Sequence, residues 1–280
     1  MSDLSMLPAS PLCPGPDGLR RRMLGAGALW AGAGSLTCLG TDARASTEAQ
    51  TQLAASDEVR NPTRAFTVTV TLLEFRGGKP TDSNTLSVYT KAAPGGAFRT
   101  LIRIVAPARD ADKLLLKNGN DLWFYDPASQ ASVRLSPQQR LLGQAANGDV
   151  VTVNLAREYT AETLGEEDMA DGDKVMRRAV KLGLIAAAPE VTYHRAELWL
   201  DKTTARPIRA RFFAESGRLL KTAFYRKFQP ALGRERPSEV VIIDGLDAGW
   251  VTVLRYSDWA YRDIPDLWFQ RDYLPRFRPE

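Results

Sequence analysis

Histidine and cysteine are nearly missing from this sequence. It has one histidine, His194, and two cysteines, Cys13 and Cys38, in 280 residues. So few thiol and imidazole groups exclude a Cys/His zinc site, a multi-histidine metal cluster and a cysteine nucleophile within the main body of the chain. A Ser-His-Asp triad would need His194, which lies in Thr192-Tyr193-His194-Arg195 inside a predicted strand and reads as a residue facing solvent or a partner. The G-x-S-x-G elbow is absent, as are the G-x-G-x-x-G and phosphate-loop patterns. Charge of one sign is missing too. Thirty-seven basic residues stand against 33 acidic ones, a net +4, and the main body has no Lys/Arg run of the kind that binds nucleic acid.

Long, strongly apolar runs are also lacking. The uncharged stretch from Met23 to Thr41 is rich in glycine and alanine, with Trp30 as its one bulky aromatic. A spanning helix needs about 20 strongly apolar residues. With Arg20-Arg21-Arg22 before it and the small-x-small Ala43-Arg44-Ala45 after it, the stretch predicts a cleavable, twin-arginine-like signal peptide over 1–45, cut between Ala45 and Ser46. Both cysteines fall upstream of that cut, so the exported chain would be held by its core alone in an oxidising compartment, the periplasm. Residues 46–63 read as a linker or short helix, and 64–280 as one β domain.

From Arg64 the apolar period is mostly two. Phe66, Val68, Val70 and Leu72 alternate with Thr67, Thr69 and Thr71, and about a dozen such runs follow. Gly77-Gly78, Pro94-Gly95-Gly96, Asn118-Gly119, Asp171-Gly172 and Ser216-Gly217 are turn dipeptides that close hairpins, and strands joined by short turns are antiparallel. The predicted fold is mostly β, a large and strongly bent antiparallel sheet or barrel. One segment breaks the pattern. Ser136, Pro137 and Gln139 have the spacing that opens a short helix ending at Gly143, and a second helix is predicted within Asp149–Glu158. These could cover the sheet as a lid through Leu141 and Leu142, or pack on its edge. The acidic cluster Glu166, Glu167, Asp168, Asp171 and Asp173 flanks a turn without the order of ligands that calcium requires, and reads as a solvated hairpin tip.

Apolar residues exceed the need of one inner face. In Asp121-Leu122-Trp123-Phe124-Tyr125, Leu122 and Phe124 point one way and Trp123 and Tyr125 the other, so both sides must meet something apolar. One side could line a hydrophobic cavity. Its predicted lining is Phe66, Val68, Val70, Leu72, Phe98, Ile102, Ile104, Leu122, Phe124, Phe212, Leu220 and Phe224. A well-filled core is the plain alternative.

The run Lys113-Leu-Leu-Leu-Lys117, Asn118-Gly119-Asn120 and Asp121-Leu-Trp-Phe-Tyr-Asp-Pro127 resembles the central hairpin of the outer-membrane lipoprotein-sorting (LolA-like) family, with Trp123, Tyr125 and Pro127 on its strand motif. Arg134-Leu135-Ser136-Pro137 through Asn147-Gly148-Asp149 and the strand Glu197-Leu-Trp-Leu-Asp201 are similar to it as well. The resemblance implies an unclosed (half) β-barrel around a hydrophobic cavity with short helices as lid. It implies a non-enzymatic periplasmic carrier of lipoprotein acyl chains or other lipid that needs no cofactor, with an inner-membrane transporter and an outer-membrane acceptor as partners of a monomer. A second expectation treats the chain as an interaction subunit docking through its aromatic and basic C-terminus. There Trp259, Tyr261, Trp268, Phe269, Tyr273 and Phe277 are interleaved with Arg262, Arg271, Arg276 and Arg278, unless that tail packs back over the sheet.

Overall fold

Phe66, Val68, Val70 and Leu72 are buried and the threonines between them half-buried, as a strand with one fully covered face requires. The computed structural model describes residues 40–279, with side chains from residue 47 onward; the twin-arginine motif and both cysteines lie outside the described residues. Helix α1 (Gly40–Arg60) comes first. Six strands follow: β1 (Phe66–Arg76), β2 (Lys79–Ala92), β3 (Phe98–Ala106), β4 (Leu114–Asn118), β5 (Asp121–Asp126) and β6 (Ala131–Arg134). A covering segment holds β7 (Arg140–Leu142), β8 (Ala145–Ala146), α2 (Asn147–Val150) and α3 (Leu155–Glu158). The second half is β9 (Tyr159–Ala170), β10 (Met176–Ala186), β11 (Arg195–Asp201), β12 (Pro207–Phe213), β13 (Leu219–Ala231), β14 (Arg234–Asp244) and β15 (Trp250–Tyr261).

All but β7 and β8 form one 13-stranded sheet in the order β6-β5-β4-β3-β2-β1-β15-β14-β13-β12-β11-β10-β9. Every pairing is antiparallel, and the edges β6 and β9 do not meet. Laid flat, thirteen strands would span roughly 60 Å at about 4.8 Å per strand. Yet one continuous core joins Leu122 of β5, Val70 of β1, Leu198 of β11 and Tyr159 of β9 with Ala49 and Leu53 of α1. The sheet is therefore curled around that core, and register shifts that leave an extra residue in β15, β2 and β9 mark bulges that bend it. The fold is mostly β, an unclosed half-barrel.

Of the two readings of residues 46–63, the structure shows the helix: α1 runs to Arg60, with Ala49, Leu53 and Ser56 fully buried. Its C-terminal carbonyls at Glu58 and Val59 accept from Arg236 of β14 at 3.0 and 2.8 Å. Two other local expectations are corrected. The segment opening at Ser136 is a small β-ribbon rather than a helix. Gln139 and Pro137 carbonyls accept from Asn147 and Gly148, and Gly143 makes the turn at φ +55 with no room for a Cβ beside the Thr252 hydroxyl. Leu142 is buried in the main core and Leu141 packs against it. The single helix expected within Asp149–Glu158 is split. Thr152 is pinned to the sheet through the hydroxyls of Thr90 (2.9 Å) and Thr100 (3.3 Å), and Asn154 caps a fresh helical turn by accepting from the Arg157 N–H.

The two-sidedness of β4 and β5 has its partner in the C-terminus. After β15 the chain turns back, and Ile264, Trp268, Phe269, Leu274 and Phe277 pack on Tyr89, Leu101, Leu114, Leu116 and Tyr125 across the outer face. Trp268 meets Tyr89 and Phe277 edge to face, at 5.3 and 4.8 Å between centroids. The acidic cluster spreads along β9 and its turn and is ion-paired. Glu166 meets Lys202 at 2.7 Å and Arg178 at 3.2 Å, and Asp171 meets Arg177 at 2.9 Å. Lys202 and Arg178 hold the Glu166 carboxyl below its usual range. His194 is exposed, just ahead of β11.

Candidate functional site

Curling leaves a hollow of about 150 Å³ between the inner face of the sheet, the end of α1 and residues 148–155. Its apolar wall includes Phe66, Val68 and Val70 of β1, Val88 of β2, Leu184 of β10, Leu198 of β11 and Val240 of β14. Small residues Ala196 and Ala210 leave the space that larger side chains would fill. A cleft of about 190 Å³ adjoins it, sharing Thr152, Glu158 and Thr192 as a common wall.

Of the twelve residues predicted to line a cavity, Phe66, Val68, Val70 and Phe212 do so. Leu72, Ile102, Ile104 and Leu122 are buried in the same core, with Phe124 against it, but fill space rather than border the hollow. Phe98 borders the neighbouring cleft. Phe224 lies on the opposite face of β13, and Leu220, unpaired at the register shift between β12 and β13, borders a separate cleft beside Tyr193 and Phe213. The inward residues of that strand are Lys221, which pairs with Asp149, and Ala223, which is part of the core, and strand side chains alternate. Trp123, Tyr125 and Pro127 are on the outer face. Tyr125 is buried in the second core, the Arg271 guanidinium lies 4.4 Å from the Trp123 ring centre, and Pro127 borders a groove beside Pro275. That strand motif therefore seats the C-terminus. Of the tail's aromatic residues, Trp268, Phe269 and Phe277 are buried in this packing, and Trp259 lines the hollow, stacked on Phe66.

The inner face also holds polar groups that apolar periodicity does not reveal. Lys221, 3 % exposed, forms an ion pair with Asp149 of α2 in the covering segment and donates to the Gln144 carbonyl at 3.3 Å. Asp149 also accepts from the Tyr193 hydroxyl (2.9 Å) and the Ala146 N–H (2.7 Å). The Tyr159 hydroxyl donates to the Tyr193 carbonyl at 3.0 Å. Burial lowers the proton affinity of Lys221 and raises the pKa of the Tyr193 phenol well above its usual value, with Asp149 adding to the latter. This network ties α2 to β13 and to the residues before β11. At the other end of the segment, Asp57 of α1 accepts from the Ala156 N–H (2.8 Å), and Asn61 donates to the Val153 carbonyl (2.8 Å). The arrangement is a covered apolar pocket whose cover is held by a few polar ties, suited to sequestering an apolar group from water.

A family model described as "uncharacterized protein" matches residues 96–276. No curated protein matches the chain. Among solved structures, a LolA superfamily protein from Nitrosomonas europaea is 35% identical with a TM-score of 0.72, over 80% of this chain and 98% of that one. A putative outer membrane lipoprotein-sorting protein domain from Vibrio parahaemolyticus is 17% identical (TM-score 0.70; 82% and 100% covered). A DUF1329 family protein from Desulfovibrio piger is 22% identical (TM-score 0.70; 82% and 99% covered).

Proposed function

The chain belongs to the LolA superfamily, and on that premise we propose that it is a carrier that shelters the hydrocarbon of a lipid or a lipidated protein in its covered hollow while crossing the periplasm. The carrying observation is the hollow itself, an apolar space on the inner face of an open sheet, closed by α1 and residues 148–155. Each methylene moved from water into it is worth about 0.8 kcal/mol, so a chain of ordinary length binds without any chemistry. The signal peptide expected over residues 1–45 favours export, after which donor and acceptor membranes would load and unload the cargo. At about 150 Å³ the partly covered hollow takes a benzene-sized group or one short stretch of chain. Loading a full chain therefore involves displacement of the covering segment toward the adjoining cleft.

The alternative of a ligand-free subunit docking through the C-terminus has lost most of its surface, since Trp268, Phe269 and Phe277 are already buried against the chain's own outer face. Native mass spectrometry and lipid extraction of protein purified from its own envelope distinguish the two readings. The carrier reading expects co-purifying lipid, and expects it to vanish in Ala210→Leu, which fills the hollow without adding a charge. An unliganded wild-type protein, or a folded Ala210→Leu that keeps its lipid, refutes it.

A further inference from the structure

The hollow is not uniformly apolar. One end is formed by Arg60, the last residue of α1, together with Tyr225 of β13 and Tyr256 of β15. The Arg60 guanidinium pairs with Asp57, but its Nε–H is shielded from solvent and has no hydrogen-bond partner. The two phenols sit close enough to influence its charge. Burial keeps both phenols protonated. Buried donors are nearly always satisfied, and an orphan guanidinium N–H beside two such hydroxyls, all bordering an empty space, calls for an acceptor delivered from outside. The group is held in place from behind, because Arg236 grips the carbonyls at the end of α1 and Asp57 ties that end to α3.

Resting on the carrier reading above, we propose that the preferred cargo is a single-chain amphiphile with an anionic head, a carboxylate or phosphate monoester, whose head accepts hydrogen bonds from Arg60, Tyr225 and Tyr256 while its chain runs along β1. An anion accepts several bonds at once, and charge-assisted bonds are about twice as strong as neutral ones. The volume of the hollow favours one chain over the several of a multiply acylated protein. Asp57 already balances the Arg60 charge, so selectivity comes from the unfilled donors. Glu158, on the same wall, is held above the usual carboxylate range by burial and so opposes an incoming anion less than an ordinary glutamate would.

The test is isothermal titration calorimetry of the purified full chain with laurate, dodecyl phosphate, dodecanol and inorganic phosphate. Laurate and dodecyl phosphate should bind at least about tenfold tighter than dodecanol, the value of one charge-assisted hydrogen bond, and inorganic phosphate should give no heat. Arg60→Gln and Tyr256→Phe should bring laurate toward the dodecanol affinity, with a smaller loss for dodecanol, whose hydroxyl accepts only neutral-type hydrogen bonds there. If circular dichroism finds Arg60→Gln unfolded, Tyr256→Phe decides. Equal binding of laurate and dodecanol overturns the head-group assignment while leaving the carrier reading intact. Binding of inorganic phosphate as tight as that of dodecyl phosphate overturns the assignment in favour of a free-anion site. If none of the twelve-carbon chains binds, the carrier reading falls, and this assignment falls with it.

Discussion

Lys221→Met removes the charge that holds the covering segment onto the sheet while keeping most of the side chain's length. In the native chain the Lys221 ammonium touches the Asp149 carboxylate and the Gln144 carbonyl, and lies 4.6 Å from the centre of the Tyr193 ring. Without it Asp149, with 11% of its side chain exposed, loses its counter-charge but keeps the Tyr193 hydroxyl and the Ala146 N–H as donors. Breaking a buried pair from one side costs about 3–5 kcal/mol, and the two surviving hydrogen bonds place this case near about 3 kcal/mol. For a chain of this size that corresponds to a melting point lower by roughly 6–12 °C. Adding Asp149→Asn removes the orphaned charge while keeping an acceptor, so the double variant should regain about half of the loss. Thermal unfolding followed by circular dichroism gives the size of the effect. Hydrogen exchange locates it, with protection lost first over residues 147–153. Because burial depresses the Lys221 proton affinity, the native chain binds fewer protons here than the unfolded one below the ordinary value of 10.5. Wild-type stability therefore carries a term that rises with pH toward that value and is missing from the variant. A melting point within about 2 °C of wild type, with unchanged exchange over the covering segment, would refute the reasoning, because the pair would then not be dry in solution.

Phe269→Ala, which empties a fully buried site under the C-terminal turns, should cost about 3–5 kcal/mol in urea unfolding and expose the tail to proteolysis, while a carrier's lipid content stays unchanged. Glu239, 2 % exposed, takes Arg226, Lys227 and Arg255 as partners, and their hydrogen bonds outweigh burial to hold its carboxyl below the usual range. Glu239→Gln should cost about 2–3 kcal/mol at neutral pH. The native form of this residue binds protons less readily than the unfolded one, so the gap between wild type and variant should close as pH falls below about 4. Tyr159, Tyr193, Tyr225 and Tyr256 are all shifted upward by burial. Native phenols then retain protons that unfolded ones release, so stability is full below pH 10 and declines above it. Tyrosinate absorbance at alkaline pH should rise together with loss of β-sheet signal rather than before it.

Much of this architecture was legible in the chain because strand periodicity is local. Alternation in Phe66–Leu72, the hairpin dipeptides and the doubly apolar Leu122–Tyr125 run predict antiparallel strands, a buried inner face and a second covered face, and the folded chain has all three. What local pattern could not decide was which way a strand faces when both faces carry apolar residues. In Leu219–Tyr225 the apolar reading points Leu220 and Phe224 inward. The fold instead turns Lys221 inward, because its partner Asp149, 72 residues away, is brought opposite only by the curled sheet. Capping signals at Ser136 suggested a helix, yet a cap is worth about 1 kcal/mol and burying a leucine about 1.5–3 kcal/mol, so Leu142 pulls the segment into a ribbon. The polar end of the hollow is likewise tertiary. Arg60, Tyr225 and Tyr256 come from a helix and two strands far apart in the chain, and no spacing along the sequence relates them; they meet because the sheet bends and α1 closes its mouth.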